Sequence, residues 1–440
     1  MDWREQCREK LITAQQAAGM IRSGQRVLIG LGTVEPQNIA AALCDRWQEL
    51  REVEIVTSNT MRPYPWFDKD RGSAFKIHAG YLSAISRPLY QEKRLEFSIN
   101  TVYTPVKWLD PDRSADMMNA DVCLLTISPP NAQGFCSFGE QLWYSRAWVK
   151  RTPLVIAEIN PLLIRTGGDN YVHISEIDYV VEQTEPTPPF RMSPVVSPDE
   201  QEAADKIGAL VASLICDGDT IQIGLGSVSM AAGFYLREKN DLGIHSEIIT
   251  SSMIDLYKRG VITGKRKTLH LGKLVATGMF IEPGDYEFVD SNPVIELRDA
   301  FYTNNPAVIA QNHNQVAINN ALAVDFTGQV TAEAFGPQMY TGVAGQLDFV
   351  LGAYLSPGGR SITVLPSTAR GGAVSRIVPM FPEGQVVSLP RTYIDHVVTE
   401  HGIASLAGKS ERKRAEALIA IAHPKFREEL RATARKRFGP

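Results

Sequence analysis

The chain has 440 residues, more than one hydrophobic core usually supports, so its length predicts two domains. Hydrophobic residues make up 44% of the sequence and charged residues 21%, as in an ordinary globular protein. The formal net charge of −4 argues against nucleic acid as the main partner, because phosphate binding requires a basic surface.

The amino terminus is too polar for a signal peptide, and no apolar run of about 18 residues is present to cross a membrane. The five cysteines are scattered and never form a C-x-x-C pair, which is typical of a reducing compartment and provides neither a disulfide framework nor a zinc site. The eight histidines show no short metal-ligand spacing, so we expect no bound metal. These features predict a cytoplasmic protein that neither associates with a membrane nor binds a metal.

The first elements in chain order recur later in the sequence. A helix begins at Thr13-Ala-Gln-Gln16, where threonine and glutamine form a capping box. A buried strand then runs into the turn Gly30-Leu31-Gly32-Thr33 and an alanine-rich helix. The same succession returns in the second half, where a strand leads into Gly224-Leu225-Gly226-Ser227. This internal repeat predicts two similar α/β halves.

A second strand follows each turn, and the two copies differ at its end. When Thr57 is matched with Ser246, the first copy carries Ser58 where the second carries Glu247. A glutamate at such a strand end can project into the crevice where doubly wound sheets bind ligands. The alternative is a surface glutamate that forms a salt bridge. The pattern favours a duplicated enzyme in which one half has kept a reactive carboxylate.

Further short apolar runs predict strands buried on both faces of a mainly parallel sheet. They are residues 121–127, 153–157, 348–353 and 361–366, and a helical tail follows at 410–437. Five prolines in the segment from Glu182 to Pro198, with Pro198 included, exclude both helix and central strand, which predicts an extended linker. The predicted division is a first domain of residues 1–185, a linker of residues 186–198 and a second domain of residues 199–440.

Two further segments are candidates for chemistry. Gly342-Val-Ala344-Gly345 precedes the strand predicted at 348, and glycines there allow backbone N–H groups to approach an oxyanion, although an ordinary turn is the alternative. Glu400 ends another apolar strand and is the alternative to Glu247 as the reactive carboxylate. The Gly-x-Gly turns lack the third glycine of a dinucleotide site, because Glu35 and Ser229 occupy that position. A nicotinamide enzyme is therefore not expected, and the turns alone are also compatible with no ligand.

Several motifs together resemble the acetyl-CoA hydrolase/transferase family, and within it the 4-hydroxybutyrate CoA-transferases. They are, in chain order, GIHSE (243–247), INNALAVDFTGQV (318–330), GVAGQLDFVLGA (342–353), SRIVP (375–379), VVTEHGIASLAGKS (397–410) and RAEALIAIAHPKF (414–426). The resemblance extends from about residue 2 to residue 435. It implies an α/β fold class with two similar open, mainly parallel domains, related by internal duplication, around a central cleft.

The same resemblance implies roles for particular residues. Glu247 corresponds to the nucleophilic carboxylate, Gly345 with its neighbours to the oxyanion site, and Asn304 to an active-site asparagine. The implied CoA- and substrate-binding residues are Gly224, Leu225, Gly226, Ser227, Gly342, Ala344 and Gln346. Glu400 also lies in a family motif and is interpreted as a structural or supporting residue. The chain departs from its relatives at Ala344, where they commonly have glycine, and after Glu247, where Ile248-Ile-Thr-Ser-Ser252 replaces Met-x-Ser-Asp-Gly.

The activity implied by the resemblance is CoA transfer from acetyl-CoA or succinyl-CoA to a short carboxylic acid such as 4-hydroxybutyrate, butyrate or itaconate. The expected mechanism is ping-pong through a glutamyl-CoA thioester, with acyl-CoA as substrate and no permanently bound cofactor. A homodimer or larger homo-oligomer is expected. The alternatives are an acetyl-CoA hydrolase of the same fold and a non-catalytic acyl-CoA-binding protein, which would not require Glu247.

The symmetry of the repeat also predicts an acid pocket. Leu31 and the segment 59–62 are expected to face Glu247 across the cleft. Leu31 and Met61 would limit the length of the acyl group, and Arg62 would pair with a second carboxylate of the substrate. The alternative is that Arg62 is a solvated surface arginine.

Overall fold

The chain folds into two compact units, seen here in a computed structural model that describes residues 2–60, 62–109, 119–184 and 198–439. Unit 1 comprises residues 1–191 and 277–302, and unit 2 comprises residues 192–276 and 303–440. Unit 1 thus includes residues 277–302, whereas the predicted first domain ends at residue 185. The predicted domain boundaries stay a prediction. Residues 186–197 of the predicted linker lie outside the described residues.

The helices are distributed over both units, and no described helix combines the length and apolar character that crossing a membrane requires. The α-helices are α1 Trp3–Gln6, α2 Ala14–Gly19, α3 Gln37–Asp45, α4 Ser86–Gln91, α5 Ser145–Val149, α6 Pro198–Leu214, α7 Ser227–Phe234, α8 Ser251–Lys258, α9 Tyr286–Val289, α10 Ala300–Thr303, α11 Pro306–Ile309, α12 Gln346–Leu355, α13 Glu411–Ile421 and α14 Pro424–Phe438. Short 3₁₀ helices cover Gly32–Val34, Pro65–Phe67, Lys69–Arg71, Thr104–Leu109, Ile174–Glu176, Pro283–Asp285 and Arg391–Tyr393.

The strands are short. They are β1 Arg26–Ile29, β2 Val53–Thr57, β3 Phe75–Ala79, β4 Leu95–Phe97, β5 Val122–Ile127, β6 Phe135–Ser137, β7 Leu154–Ile159, β8 Gly167–Gly168, β9 Tyr171–His173, β10 Tyr179–Glu182, β11 Thr220–Ile223, β12 Gly243–His245, β13 Ile248–Thr250, β14 Leu274–Ala276, β15 Gly278–Phe280, β16 Ile295–Leu297, β17 Gln315–Asn320, β18 Ala323–Asp325, β19 Val330–Thr331, β20 Ala334–Phe335, β21 Gln338–Met339, β22 Arg360–Val364, β23 Thr368–Ala369, β24 Val374–Ser375, β25 Ile377–Val378, β26 His396–Thr399 and β27 Gly402–Ser405.

The main sheet of unit 1 is parallel, with its strands in the order β10-β7-β5-β1-β2-β3-β4. Every residue of β5 is buried, which is expected when helices cover both faces of a parallel sheet. Burial on both faces removes the alternation of polar and apolar residues, so these strands read as continuous apolar runs in the sequence.

Unit 2 repeats this arrangement. Its strands are adjacent in the order β27-β26-β22-β17-β11-β12-β14, and all of these neighbours are parallel except β26 and β27. The first strand of each unit lies in the middle of its sheet, with the next strand on one side and a later strand on the other. β1 lies between β2 and β5 in the same way that β11 lies between β12 and β17. The predicted α/β class with largely parallel sheets is confirmed.

One predicted strand is wrong. Residues 348–353 belong to helix α12, which begins after Gly345 and continues to Leu355. The helix contacts β17 and β22, and its Asp348, Phe349, Val350 and Ala353 are buried. A short run that is apolar all round has no helical periodicity to distinguish it from a buried strand. The other predicted strands at 121–127, 153–157 and 361–366 correspond to β5, β7 and β22.

Candidate active site

The candidate site of unit 2 lies at the carboxyl ends of three adjacent parallel strands. β11 ends just before Gly224, and β12 ends two residues before Glu247. β17, the other neighbour of β11, ends at Asn320. Because parallel strands present their carboxyl ends at one edge of the sheet, residues distant in the sequence converge there.

Glu247 is partly buried and receives two hydrogen bonds. The side-chain Nδ2 of Asn304 donates to Glu247 Oε2 over 2.8 Å, and the backbone N–H of Gly345 also donates to the carboxylate. Burial raises the pKa of Glu247 to about 7, whereas the two hydrogen bonds oppose this rise by stabilising the charged form. The carboxylate is therefore more basic than an ordinary glutamate and is still held in one orientation.

Gly345 is required at its position by space. A Cβ on this residue would lie 1.8 Å from Glu247 Oε2 and 2.2 Å from Asn304 Nδ2, so no larger residue fits without moving the carboxylate. Its φ of −85° is open to any residue, which excludes backbone conformation as the reason for glycine here. Asn304 is fully buried beside it. The structure thus brings together Glu247, Asn304 and Gly345, three of the residues named from the sequence.

The Gly224-Leu225-Gly226 turn is held by the end of β17. A Cβ at Gly226 would collide with the Asn320 side chain, and Asn320 also bonds to the backbone N–H and the hydroxyl of Ser229 over 3.2 and 2.7 Å. The hydroxyl of Ser229 donates in turn to the carbonyl oxygen of Gly224 over 2.5 Å. Gln346 joins the same network, because its Nε2 donates to the Asn320 carbonyl over 2.9 Å. The glycine turn and the start of α12 are therefore connected through Asn320.

The remaining predicted residues of unit 2 lie on these same loops. Leu225 is 39% exposed, so the turn carries an apolar side chain that is open to solvent. Gly342 is buried, and Ala344 is partly buried just before Gly345. Ser227 starts helix α7, and its side chain lies outside the described part of the structure.

The predicted acid-pocket residues belong to unit 1, and their role stays a prediction. Leu31 is buried, whereas Met61 lies outside the described residues. The Nε of Arg62 lies 3.8 Å from Oε2 of the buried Glu35, which also accepts a hydrogen bond from the Tyr64 hydroxyl over 3.0 Å. Arg62 is thus paired with an internal carboxylate, and only 19% of its side chain is exposed. This environment differs from that of a solvated surface arginine.

The glycine turn of unit 1 is filled by side chains of its own unit. A Cβ at Gly32 would lie 3.2 Å from Cγ of Gln141, and the residue has a φ of +66°. Oε1 of the buried Glu158 accepts a hydrogen bond from the backbone N–H of Ile39 over 2.6 Å at the start of α3. Burial raises the pKa of Glu158 to about 7. A carboxylate of the protein therefore accepts a hydrogen bond from a backbone N–H at the start of α3, the kind of position at which helices can bind anions.

Glu400, the rival carboxylate, is engaged elsewhere in unit 2. The backbone N–H of Ser367 donates to its Oε2 over 2.8 Å, and the Ser367 hydroxyl donates to its Oε1. His401 Nε2 lies 3.4 Å from Oε1 of the same carboxylate. Glu400 thus joins the ends of β22 and β26, as expected of a structural residue. In the described ranges, no group of three or more His, Cys, Asp or Glu side chains could hold a metal ion.

Comparison with known proteins identifies the family. Residues 1–190 match the model of the acetyl-CoA hydrolase/transferase N-terminal domain, and residues 285–434 match that of the C-terminal domain. A 4-hydroxybutyrate coenzyme A transferase of Clostridium kluyveri is 39% identical over 438 residues, covering 100% of each chain. The chain belongs to the acetyl-CoA hydrolase/transferase family. A second relative of this family, a succinyl-CoA:cyclohexane-1-carboxylate CoA transferase of Geobacter metallireducens, is 34% identical over 99% of this chain and 97% of its own.

A solved crystal structure agrees with the fold. The crystal structure of RipA from Yersinia pestis superimposes with a TM-score of 0.89 at 32% sequence identity, covering 100% of each chain. The family resemblance expected from the sequence motifs is therefore confirmed over the whole chain, and its full-length relatives carry the names of CoA transferases.

Sequence reasoning missed several residues that support the site in this family member. His245 lies inside the motif that contains Glu247, and Asn320 lies in the motif 318–330, but neither carried an assigned role. Gln222 and Asn319 form a reciprocal amide pair between β11 and β17, with distances of 3.0 and 2.9 Å. Polar residues near the carboxyl ends of strands that are otherwise apolar were the available signal, because a buried amide must find a partner.

Ala344 adopts a left-handed backbone conformation with a φ of +49°, immediately before Gly345. A β-branched side chain is disfavoured in this region more strongly than alanine, whereas glycine is not. We expect Ala344→Val to lower the free energy of unfolding by about 1 kcal/mol or more, and Ala344→Gly not to lower it. Urea denaturation of the three proteins measures the difference. Equal stability of the valine and glycine variants would contradict a strained turn at this position.

Proposed function

We propose that this enzyme transfers CoA between an acyl-CoA and a short carboxylic acid through a covalent thioester on Glu247. The observation that carries the proposal is a partly buried carboxylate, made more basic by its surroundings, with two hydrogen-bond donors directed at it. A carboxylate of higher pKa is a stronger nucleophile, and near neutral pH a substantial fraction of Glu247 is ionised.

The first half of the reaction uses Glu247 as a nucleophile. One carboxylate oxygen attacks the thioester carbonyl carbon of acyl-CoA, the carbon–sulfur bond breaks, and an acyl-glutamyl anhydride and CoA thiolate form. The thiolate then attacks the glutamyl carbonyl carbon of the anhydride, which releases the first carboxylic acid as its anion and leaves a glutamyl-CoA thioester. No net proton transfer is required.

The second half reverses these steps with another acid. The carboxylate of the acceptor attacks the glutamyl-CoA thioester, CoA thiolate leaves, and the thiolate attacks the acyl carbon of the new anhydride. A new acyl-CoA and the free Glu247 carboxylate result. The order requires ping-pong kinetics, because the first acid departs before the second reacts.

The contacts of Glu247 support the steps at its own carbonyl carbon. Asn304 already donates to Oε2, which leaves Oε1 as the oxygen that attacks acyl-CoA. Oε2 then remains the carbonyl oxygen of the glutamyl group and acquires negative charge whenever a thiolate or a carboxylate attacks the glutamyl carbon. The amide of Asn304 and the N–H of Gly345 are therefore placed to act as an oxyanion site for these steps. The glycine turn of residues 224–227 and the segment 342–346 are proposed to contact CoA or substrate beside this centre.

The proposed substrates rest on the family resemblance of the sequence. We propose acetyl-CoA or succinyl-CoA as the donor and a short acid such as 4-hydroxybutyrate, butyrate or itaconate as the acceptor, with Leu31, Met61 and Arg62 of unit 1 forming the acid pocket. The family resemblance supports a homodimer or larger homo-oligomer, and five unpaired cysteines support a reducing, cytoplasmic environment.

A single experiment tests transfer against hydrolysis and simple binding. Each donor is incubated with a series of carboxylic acids and without any acid, and new CoA esters and free CoA are followed by mass spectrometry. We expect new CoA esters with good acceptors and much slower release of CoA without acceptor, because a site that excludes water protects its activated intermediates. Equal CoA release with and without every acid would instead indicate a hydrolase, and no turnover at all would indicate a binding protein.

A further inference from the structure

His245 is a fully buried histidine on β12, and its ring has a defined partner. Its Nε2 lies 2.9 Å from the backbone carbonyl oxygen of Thr303. A carbonyl oxygen only accepts hydrogen bonds, so Nε2 carries the proton and acts as the donor. The backbone of His245 is also fixed, because Nε2 of the buried Gln315 donates to the His245 carbonyl over 3.1 Å.

The partner of His245 directly precedes a residue of the active site. Thr303 is followed by Asn304, and His245 lies two residues before Glu247. The hydrogen bond from His245 to Thr303 and that from Asn304 to Glu247 therefore join the same two chain segments, one beside the other. Asn305 then caps helix α11, because its side chain accepts a hydrogen bond from the N–H of Ala307 over 2.9 Å. The orientation of the Asn304 amide thus depends on how the Thr303 peptide is anchored.

We infer that His245 is a positioning residue that holds the Thr303–Asn304 peptide so that the Asn304 amide is directed at Glu247. This inference rests on the proposed function of Glu247 as the nucleophile. His245 touches neither substrate nor the reacting atoms in this scheme. It acts through Asn304, in the way that residues behind a catalytic group commonly fix its geometry, with losses of about 10- to 100-fold when they are removed.

Two amide substitutions separate the hydrogen bond from packing. In His245→Gln the side-chain amide N–H can reach the position of Nε2 and donate to Thr303, whereas in His245→Asn the amide is too short to do so. Both variants replace the imidazole by a buried amide, so they share most of the loss of packing against Phe349, whose ring centroid lies 6.2 Å from that of His245. Phe349→Leu serves as a control that disturbs the same packing and leaves the hydrogen bond in place.

We expect His245→Asn to lower kcat for transfer by about 10- to 100-fold with little change in KM for acyl-CoA. His245→Gln should keep most of the wild-type kcat. Phe349→Leu should lower the melting temperature but reduce kcat much less than His245→Asn does. An equal loss of kcat in the glutamine and asparagine variants, or full activity in His245→Asn, would overturn the inference.

The pH dependence provides a readout that a purely structural role would not move. The Asn304 hydrogen bond favours the charged form of Glu247, so its loss should raise the Glu247 pKa above about 7 and shift the acid limb of kcat/KM to higher pH in His245→Asn. The causes of the raised Glu247 pKa are burial, opposed by the Asn304 and Gly345 hydrogen bonds, with no charged side chain among them. Of the elements that contact His245 or extend its sheet, β11, β14 and β17 carry no titratable side chain, α10 carries Tyr302, and α12 carries Asp348 and Tyr354. An unchanged acid limb in His245→Asn would contradict positioning through Asn304.

The pKa of Glu247 can also be measured without turnover. Infrared or carboxyl-carbon NMR titration, with Glu247→Gln to assign the signal, should show a higher pKa of Glu247 in His245→Asn than in the wild type. In His245→Gln the pKa of Glu247 should equal the wild-type value. If the wild-type protein catalyses no transfer, the proposed function fails, but this titration still decides whether His245 controls the Asn304 contact. An unchanged pKa in both variants would refute the positioning role independently of activity.

Discussion

Replacing Glu247 with glutamine is expected to abolish CoA transfer and to leave the fold intact. Glutamine has nearly the same size and can still accept a hydrogen bond from Asn304, but it cannot attack a thioester. Loss of a covalent nucleophile typically costs a factor of about 10³ or more in kcat. The wild-type enzyme incubated with acyl-CoA and then digested should yield a peptide that contains Glu247 and carries the mass of CoA, or a hydroxamate after treatment with hydroxylamine. The variant should yield neither.

Glu400→Gln is the matched control, because Glu400 is also a carboxylate at a strand end. Its two oxygens accept hydrogen bonds from the N–H and the hydroxyl of Ser367. A glutamine retains one acceptor oxygen, so we expect a loss of stability of about 1–3 kcal/mol together with measurable transfer. A CoA label on Glu400, or full activity in Glu247→Gln, would reverse the assignment of the two carboxylates.

The same pair of proteins, wild type and Glu247→Gln, should differ in stability with pH. Burial raises the pKa of Glu247 from 4.5 to about 7, so between these values the folded state binds more protons than the unfolded state. The contribution of Glu247 to stability is therefore fully present below pH 4.5 and is lost as the pH rises through 7. Glu247→Gln carries no charge to bury and should be the more stable protein at pH 8. Urea unfolding at pH 6 and pH 8 measures this difference.

Gly345→Ala is expected to have the second large effect. The added methyl group would lie 1.8 Å from the Glu247 carboxylate and 2.2 Å from the Asn304 amide, so both groups must move. Displacement of a reacting group by about 1 Å can cost on the order of 100-fold in rate, and we expect at least that loss of kcat together with loss of the Glu247 adduct. Because alanine is otherwise compatible with a φ of −85°, the fold should persist.

The control for this substitution is Gly284→Ala in unit 1. No atom lies within 4 Å of the Cβ that it would add, so it changes a glycine to alanine without a collision. It should keep wild-type kcat. Normal transfer by Gly345→Ala would show that the contact of Gly345 with Glu247 and Asn304 does not matter for the reaction.

The sequence by itself determined the class of the fold and the position of several groups along the strands. Buried parallel strands are continuous apolar runs, and Gly-x-Gly turns mark their carboxyl ends, so β1, β11 and their following helices were visible as a repeat. Glu247 could be placed at a strand end for the same local reason. The family motifs then singled it out from Glu400, which has the same local setting.

Only the tertiary structure decided which groups meet. Glu247 and Asn304 are 57 residues apart. Gly345 lies on a third segment, which the sequence predicted to lead into a strand but which begins helix α12 in the structure. The pairing of Glu400 with Ser367, the occupation of the α3 start by Glu158 and the hydrogen bond from His245 to Thr303 likewise join distant segments. The physical reason is that local patterns record which residues are buried and which bend the backbone. Whether a side chain finds a hydrogen-bond partner, or whether a position has room only for glycine, depends on residues brought together from elsewhere in the chain. No local pattern specifies those residues.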